Sequence, residues 1–470
     1  MIVRIVCFIS FCDYISAGYT KEWFLKLQRN KKEIIFAPRK GKIQSDKDFH
    51  NMHLPIDFVS DIRSLMGEQR FSIFAEALDQ VAPVSIRLNP LKTDGMRIVP
   101  QMHSRRVGWC DEGWYLNERP QFTFDPLFHA GGYYVQEAAS MFLSHVLHTF
   151  VKEPVSMLDL CAAPGGKTTC AFSALPPGSS LMSNEPLRPR AQILKENVIK
   201  FGSPDIVVTN NFATDYARTP LMFDVILTDV PCSGEGMFRK DEQSIGEWSR
   251  QNVFKCQQLQ RQILTDIWPC LRPGGLLIYS TCTFNRQEDE DNVEWICNEF
   301  GAVPLEIPVE TEWHVTGPLV GALPVCRFIP GISCGEGLFM AALRKPGVLN
   351  PNPQLTATAM KSLRVLCHGV EPDRLKGKKQ IPDITKVLMV GRHEFMPKVE
   401  LDYADAIAYL RHDTIQLPSD TPRGYVAVSY KGLGLGLVNN IGNRANNLYP
   451  QEWRIKSTHV PEPFDVLELC

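Results

Sequence analysis

The stretch Val155-Ser-Met-Leu-Asp-Leu-Cys-Ala-Ala-Pro-Gly-Gly-Lys-Thr168 indicates the fold class of this chain. It begins with an apolar run that is typical of a buried parallel strand. The small residues and glycines that follow let the backbone approach a ligand closely, and the helix predicted after them offers free N–H groups at its first turn. We therefore predict a strand, a ligand-binding loop and a helix at this place.

The neighbouring segments extend this unit into a doubly wound parallel sheet. Apolar strands alternate with helical segments over residues 133–345, as in α/β folds. Residues 134–143 predict an entry helix, and a second strand, Ser180-Leu-Met-Ser-Asn184, ends just before Glu185. Nucleotide-binding α/β folds place a carboxylate about 20 residues beyond such a loop, where it holds a ribose diol. We therefore expect Glu185 to bind a ribose rather than to be a solvated loop acid.

Two cysteines follow two further predicted strands. Cys232 comes shortly after Phe223-Asp-Val-Ile-Leu-Thr-Asp229, and Cys282 comes directly after Gly275-Leu-Leu-Ile-Tyr-Ser-Thr281. Ligands of open α/β sheets bind at the carboxyl ends of the strands. A lone cysteine there is more often a small core residue, but two thiols with Asp229 beside one of them predict a reaction centre.

Composition sets the frame for these motifs. A chain of 470 residues exceeds what one hydrophobic core usually serves, so roughly two to four domains are expected. With 44% hydrophobic and 22% charged residues it is an ordinary globular protein, and its formal charge of −2 means that any RNA-facing basic surface must be local. The 14 cysteines contain no Cys-x-x-Cys pair, which favours reduced thiols in the cytoplasm over disulfides and argues against structural zinc.

The first 51 residues differ from the rest of the chain. An apolar start at 2–11 is interrupted by Arg4 and is too short to span a bilayer, and the following stretch is polar without clear periodicity. We expect residues 1–51 to be an extension outside the core, with Met52 as the functional start. Amphipathic helical periodicity begins at 54 and continues to 78.

Two flanking regions carry candidate RNA-binding features. In the first, residues 52–132, a short strand at 83–90 precedes an aromatic piece, and Arg105, Arg106, Trp109 and Trp114 either form a stacking and phosphate-binding surface or include core tryptophans. In the second, residues 346–470, a proline-rich linker is followed at 361–400 by nine Lys/Arg against five Asp/Glu, either a phosphate-contacting surface or a solvated face. Short strands around glycine turns near the end predict a small β-barrel.

A P-loop nucleoside triphosphatase is a rival interpretation of the loop. Gly166, Lys167 and Thr168 fit the last three positions of G-x-x-x-x-G-K-[ST], but the first glycine would fall at residue 161, which is Cys. That class also has no need of a ribose-binding Glu185 or of the two thiols, so we disfavour it.

Three motifs together resemble a known family: Asp159-Leu-Cys-Ala-Ala-Pro-Gly-Gly-Lys-Thr-Thr169, Asp229-Val-Pro-Cys-Ser-Gly-Glu-Gly236 and Tyr279-Ser-Thr-Cys-Thr-Phe-Asn285. In order and spacing they are similar to those of the NOL1/NOP2/Sun family of RNA cytosine-C5 methyltransferases. The segments at 368–378 and 432–450 resemble its bacterial ribosomal-RNA branch, in which the latter ends a PUA-like RNA-binding module. The resemblance covers about Met52 to the C-terminus.

The resemblance implies an α/β protein in three parts. Residues 133–345 would form a Rossmann-like, S-adenosylmethionine-dependent methyltransferase domain. Residues 52–132 would form a small N-terminal α/β RNA-binding domain, and residues 346–470 a C-terminal RNA-binding region that ends in a PUA-like β-barrel. The partner would be RNA, with ribosomal RNA favoured over tRNA, and not DNA or a membrane. We expect a cytoplasmic monomer.

Site residues also follow from the resemblance. Glu185 would bind the ribose hydroxyls of S-adenosylmethionine, and Arg190 would help to shape the site. Where relatives carry an adenine-contacting Asp, this chain has Asn211, whose amide oxygen can accept the same hydrogen bond, with Asp215 as second choice. The residues that would wrap the methionine and sugar are Cys161, Ala162, Ala163, Pro164, Gly165, Gly166 and Lys167.

The implied chemistry needs both thiols. C5 of cytosine is a poor nucleophile, so a thiolate first adds to C6, the role of Cys282 in the family. Asp229 would lie between donor and base and hydrogen-bond the base as charge develops, and Cys232 would serve the release step. The alternatives are the same chemistry on tRNA, or a ribosome-assembly factor that uses the methyltransferase fold only as a binding scaffold.

Overall fold

A computed structural model describes residues 54–377, 379–390, 396–457 and 459–470. The expectation about residues 1–51 therefore lies outside the described residues. Among those that are described, no helix is both long and apolar enough to cross a bilayer.

The described chain begins with a helical hairpin, α1 (Ile56–Met66) and α2 (Glu68–Leu78). Gly67 joins the two helices with φ +77°, a left-handed conformation that favours glycine. The apolar face of the hairpin packs against the central domain, where Phe74 meets Phe284 with ring centroids 4.8 Å apart. These helices therefore support the segment just beyond Cys282.

A four-stranded sheet follows the hairpin, in the order β3-β4-β1-β5. Its elements are β1 (Val84–Leu88), β2 (Met96–Ile98, which pairs elsewhere), β3 (His103–Val107), β4 (Cys110–Leu116), the short helix α3 (Pro126–His129) and β5 (Tyr133–Val135). The prediction of one entry helix over 134–143 is wrong for most of its length, because residues 133–135 pair with β1, a short 3₁₀ helix covers Ala139–Met141 and the α-helix begins only at Phe142.

The predicted aromatic surface of this sheet divides in two. Trp109 is core, since its indole N–H donates to the Ala138 carbonyl at 2.7 Å and little of it reaches solvent. Arg106 lies over the Trp114 ring, 4.7 Å from its centroid, at the surface. Arg105 lies over Tyr115 in the same way, at 5.0 Å. The core alternative therefore holds for Trp109, while Arg105, Arg106 and Trp114 stay candidates for RNA contact.

The central domain is a nine-stranded sheet with helices on both faces. Its elements are α4 (Phe142–Phe150), β6 (Ser156–Asp159), α5 (Gly166–Ala174), β7 (Ser180–Asn184), α6 (Arg188–Phe201), β8 (Ile206–Thr209), α7 (Ala213–Tyr216), β9 (Phe223–Asp229), α8 (Glu242–Glu247), α9 (Arg250–Ile267), β10 (Leu271–Thr281), α10 (Glu290–Phe300), β11 (Val303–Leu305), β12 (Cys326–Phe328) and β13 (Leu338–Arg344).

Strand order places the site. The sheet runs β11-β13-β10-β9-β6-β7-β8 and ends with a strand of the C-terminal region, β14 (Val365–His368). Strand β12 lies beside β13, and β8, β7, β6, β9 and β10 are mutually parallel. The chain reverses its direction of winding between β6 and β9, and in open α/β sheets such a switch point opens a crevice at the carboxyl ends of the strands. The loops that carry the predicted site residues leave the sheet along this edge.

The C-terminal region is joined to the rest of the molecule. Its first strand, β14 (Val365–His368), pairs antiparallel with β8 and so extends the central sheet. A hairpin and a four-stranded sheet follow, formed by β15 (Arg374–Lys376), β16 (Lys379–Ile381), α11 (Thr385–Leu388), β17 (Lys398–Glu400), α12 (Tyr403–Arg411), β18 (Gly424–Tyr430), β19 (Leu433–Asn440) and β20 (Ala445–Asn447). The last strand, β21 (Leu467–Leu469), pairs with β2. The C-terminal region is thus not a detached unit.

Asp125 links the N-terminal region to the last residues of the described chain. Its buried carboxylate accepts hydrogen bonds from the Leu127 amide at 2.8 Å, from the Tyr133 hydroxyl at 2.7 Å and from the Val466 amide at 3.2 Å. The last of these lies one residue before β21. Burial raises the pKa of Asp125 to about 6, although all three donors oppose that shift.

This shift predicts a pH-dependent stability. A carboxyl whose pKa is higher in the folded chain than in the unfolded chain stabilises the fold below the unfolded value, and that stabilisation is lost as the pH rises through 6. Asp125 should therefore lower the free energy of unfolding by roughly 2–3 kcal/mol between pH 4 and pH 7. In denaturant unfolding, the stability advantage of the wild type over Asp125→Asn should shrink by that amount across this range. Asp420→Asn, which removes an exposed carboxyl, is the control, and an advantage that is constant with pH would contradict the expectation.

Candidate active site

The two predicted cysteines meet at the edge of the sheet. Strands β9 and β10 are parallel neighbours in a register that sets Asp229 beside Ser280, so Cys232 and Cys282 leave the sheet side by side. Their sulfur atoms are 3.2 Å apart and hydrogen-bonded. This hydrogen bond, with burial as a second cause, raises the pKa of Cys232 well above its usual value. The raised pKa favours the protonated form of Cys232, and either sulfur can donate in this contact.

Asp229 lies at the end of β9 with both carboxylate oxygens engaged. Oδ1 accepts from the Ser280 hydroxyl at 2.7 Å, and Oδ2 accepts from the Lys167 ammonium at 2.9 Å. Burial alone would lower the pKa of Lys167, but the attraction of Asp229 outweighs it and the pKa is raised. The carboxylate keeps a partly exposed surface, as a residue that touches a bound base would need.

The glycine-rich loop follows β6 and is bonded on both sides. The Ala162 amide donates to Asn184 at 2.8 Å, while Arg190 and Asn197 of α6 donate to the carbonyls of Ala163 and Pro164, each at 2.8 Å. Gly165 has φ +112°, and α5 begins at the next residue. The loop therefore presents its backbone at the start of a helix, where a side chain at 165 would be strained.

Glu185 lies at the end of β7, almost fully buried. It accepts from the Leu187 amide at 2.9 Å and lies 3.5 Å from the Arg190 guanidinium. Burial raises its pKa, while Arg190 opposes the shift. A buried carboxylate beside the loop is a suitable acceptor for hydroxyl groups, because each hydroxyl donor would satisfy an oxygen that water reaches poorly.

Asp159 supplies a second buried acceptor below the loop. One of its oxygens accepts from the Thr168 hydroxyl at 2.7 Å, whereas the other, Oδ1, has no hydrogen-bond partner among the described residues. Burial raises the pKa of Asp159 to about 7. A buried oxygen without a donor is uncommon. Its place under the predicted cofactor loop fits a site that takes a ligand rich in donors.

Asn211 is placed differently from the expectation. Its side-chain oxygen accepts from the Arg364 amide at 2.9 Å, and its side-chain nitrogen donates to the Arg364 carbonyl at 3.3 Å. The amide thus joins β8 to the segment before β14. The second choice, Asp215, accepts from the Phe212 amide at the start of α7, at 3.0 Å. An adenine contact by either residue stays a prediction.

Sequence reasoning missed four polar residues around the thiols. Ser280 holds Asp229, and Glu235, Asn285 and Glu288 are buried together behind the two cysteine loops. All four lie within six positions of Cys232 or Cys282 in the sequence. A search for acids and amides close to the two cysteines in sequence would have found them.

Comparisons with known proteins agree with this architecture. Three family models match in chain order: the N-terminal domain of 16S rRNA methyltransferase RsmF over residues 54–138, 16S rRNA methyltransferase RsmB/F over 147–344, and the methyltransferase RsmF PUA domain over 396–455. The chain belongs to this family of RNA methyltransferases. The expectations of a methyltransferase domain, an N-terminal domain and a C-terminal PUA domain are confirmed.

Similar curated proteins are named ribosomal RNA small subunit methyltransferase F. That of Enterobacter is 28% identical over 86% of this chain and 96% of its own length. That of Klebsiella pneumoniae is 30% identical over 65% of this chain and 66% of its own length, and that of Pectobacterium atrosepticum is 32% identical over 64% of each. A methyltransferase homologue from Pyrococcus horikoshii, solved by crystallography, is 26% identical with a TM-score of 0.52, over 61% of this chain and 94% of that one.

The sulfur separation can be tested without any substrate. Diamide takes two electrons and two protons from a pair of thiols, and its N=N bond becomes a hydrazine as a disulfide forms. We expect it to join Cys232 to Cys282, because their sulfurs are already in contact. Peptide mapping by mass spectrometry should find the disulfide-linked pair in the wild type, while Cys232 in Cys282→Ala should remain without a disulfide bond. Unlinked Cys232 and Cys282 in fully treated wild-type protein would contradict the described geometry.

Proposed function

We propose that this member of the RsmB/F family methylates C5 of a cytidine in structured RNA, through a covalent bond between Cys282 and C6 of the base. The observation that carries the proposal is the contact of two thiols, 3.2 Å apart, beside a carboxylate at the carboxyl edge of the sheet. Ribosomal RNA is the favoured substrate, because the relatives are named for it. One cysteine would suffice for attack, so the second points to a reaction with a separate release step.

S-adenosylmethionine is the cofactor that these residues fit, and when bound it supplies an electrophilic methyl group. Residues 161–167 would hold its methionine and sugar against the start of α5, and Glu185 would accept from its ribose hydroxyls. Arg190 already bonds both the loop and Glu185, so it keeps the two sides of the site in register. The Asp159 oxygen that lacks a donor lies under this loop.

The addition step is carried out by Cys282. Its sulfur, as thiolate, forms a bond to C6, and the electrons of the C5–C6 double bond move to make C5 nucleophilic. Asp229 faces the base edge, where charge develops on N3 and the exocyclic amine. Ser280 and Lys167 fix both oxygens of Asp229, so its orientation is set before the base arrives.

The release step belongs to Cys232. Once methylated, C5 must lose its proton while the C6–S bond breaks and the double bond returns. The Cys232 sulfur lies in contact with the sulfur that forms this bond, so it can reach the adjacent carbon. To act as the base for this step, Cys232 must first lose its own proton to solvent. Its thiolate would then take the C5 proton, while the C6–S bond breaks, the C5–C6 double bond returns and Cys282 leaves as a thiolate.

The cofactor assignment predicts a loss of donor binding when Glu185 is removed. Glu185→Ala leaves two ribose hydroxyls without their acceptor, so the affinity for S-adenosylmethionine should fall by about 1.5–3 kcal/mol. Calorimetry measures this directly. Glu196→Ala is the matched control, since it removes a carboxylate from α6 that pairs with Lys200 instead. The assignment would be overturned if Glu185→Ala and the wild type bound S-adenosylmethionine with equal affinity, or if the protein bound ATP instead.

The two thiols should give opposite phenotypes. Cys282→Ala should keep donor and RNA binding but lose methylation and form no covalent RNA adduct. Cys232→Ala should instead accumulate methylated RNA bonded to Cys282, because blocking the last step retains the intermediate. A denaturing gel with labelled RNA shows both outcomes, and Cys297→Ala on α10 is the control. Adducts in Cys282→Ala would reverse the roles, and adducts in neither variant would count against covalent catalysis.

A further inference from the structure

Two carboxylates lie behind the cysteine loops, and each is bonded to the opposite loop. Glu235 belongs to the segment that begins at Cys232, but its Oε2 accepts from the amides of Phe284 and Asn285, at 2.7 and 3.1 Å, just beyond Cys282. Glu288 belongs to the segment after Cys282, but it accepts from the Ser233 amide at 3.0 Å, just beyond Cys232. The bonds therefore cross.

Asn285 connects the two carboxylates. Its side-chain nitrogen donates to Oε1 of Glu235 and to Oε1 of Glu288, each at 2.9 Å, and its side-chain oxygen accepts from the Glu288 amide at 2.9 Å. Both carboxylates are fully buried and Asn285 is 6% exposed. We call Glu235, Asn285 and Glu288 the cross-brace.

Further hydrogen bonds connect the cross-brace and its surroundings to the two cysteine loops. Gln260 of α9 donates to Glu288 at 2.6 Å and to the Pro231 carbonyl at 2.9 Å, so the residues before and after Cys232 are both held. On the other side, the Gly236 amide donates to the Cys282 carbonyl at 2.6 Å. A Cβ on Gly236 would lie 2.5 Å from that same oxygen, which leaves no space for a side chain.

Hydrogen-bond donors surround both carboxylates of the cross-brace. Glu288 faces three donors, from Ser233, Gln260 and Asn285, and Glu235 faces donors from Trp248, Phe284 and Asn285. Such sites accept a carboxylate but not the amide of the same shape, because an NH₂ group would meet a donor. Burying two acids this close together is costly, and a packing role alone would be filled by apolar side chains.

We propose that the cross-brace is the positioning device that sets the two thiols in register, with Glu288 controlling the placement of Cys232 and Glu235 that of Cys282. The proposal rests on the proposed function for its kinetic consequences. Its residues touch neither base nor donor, and they act through the backbone on either side of each cysteine. The two acids should therefore affect different steps of one reaction.

Two isosteric variants separate those steps. Glu288→Gln should slow release at least tenfold while addition changes less than threefold, so methylated adduct accumulates in a single turnover. Glu235→Gln should slow addition at least tenfold and accumulate no adduct. Asp125→Asn is the matched control, since it removes a carboxylate that is equally buried and also faces three groups as acceptor, but lies in the N-terminal region. It should alter thermal melting without changing the ratio of adduct to product.

A second readout needs no methylation. The rate at which diamide joins Cys232 to Cys282 reports how well the sulfurs are aligned, and it should fall at least fivefold in both glutamine variants but not in Asp125→Asn. If the wild type methylates no RNA, the proposed function fails while this rate still tests the cross-brace.

Several results would overturn the proposal. They are unchanged linking rates in both glutamine variants, or equal slowing of addition and release in each, which is what lost stability alone would give. If Glu288→Gln does not fold, Asn285→Ala replaces it, because it removes the shared amide without adding a donor. That variant should slow linking at least fivefold, and a wild-type rate there would also overturn the proposal.

Discussion

The parallel pairing of β9 with β10 is the constraint on which the rest of the structure depends. Neighbouring strands lie about 4.8 Å apart, and two side chains that leave adjacent strand ends on one edge can meet only if the register is right. Here Asp229 lies beside Ser280, and the loops that follow bring Cys232 and Cys282 into contact. Ser280 also donates to Asp229, so one pair of strand ends positions the carboxylate as well. The glycine-rich loop, the buried acids and the N-terminal helices are arranged around this point.

The site contains several buried carboxylates, and the desolvation of each one costs free energy. Desolvation raises the pKa of Asp159, Glu185, Glu235 and Glu288 alike, to about 7 for the first and the last. The donors around them offset part of that cost. At Asp159 one oxygen has no donor among the described residues, whereas the acids behind the thiols are fully bonded. The first arrangement suits an acceptor that waits for a ligand, and the second suits an internal support.

Features set by residues close together in the sequence could be predicted, whereas features set by contacts between distant residues could not. Strand β9 was predicted at its observed limits and β7 likewise, because continuous apolar runs bounded by polar residues are local signals. The family resemblance supplied the three-part architecture. The entry helix predicted from residue 134 begins only at Phe142, since residues 133–135 pair with β1, almost fifty positions earlier. Asn211 similarly bonds to Arg364, and Trp109 to Ala138, and no local pattern encodes such partners. The members of the cross-brace lie close to the two cysteines in sequence, but their crossed pairing joins positions 49 and 55 residues apart and has no local signal.

Contacts between distant parts of the chain also explain why the flanking regions matter to chemistry that they do not perform. The N-terminal helices pack Phe74 on Phe284, two residues beyond Cys282, so a displaced helix would move the loop that carries Cys282. At the other end, β21 pairs with β2 and Val466 bonds to Asp125, which closes the C-terminal region onto the N-terminal sheet. In the proposed reaction, a target base that leaves its stack to reach the two sulfurs would lose a few kcal/mol of stacking and pairing energy. Contacts between the RNA and the flanking regions would recover that energy, and the pairings described here hold those regions to the rest of the protein.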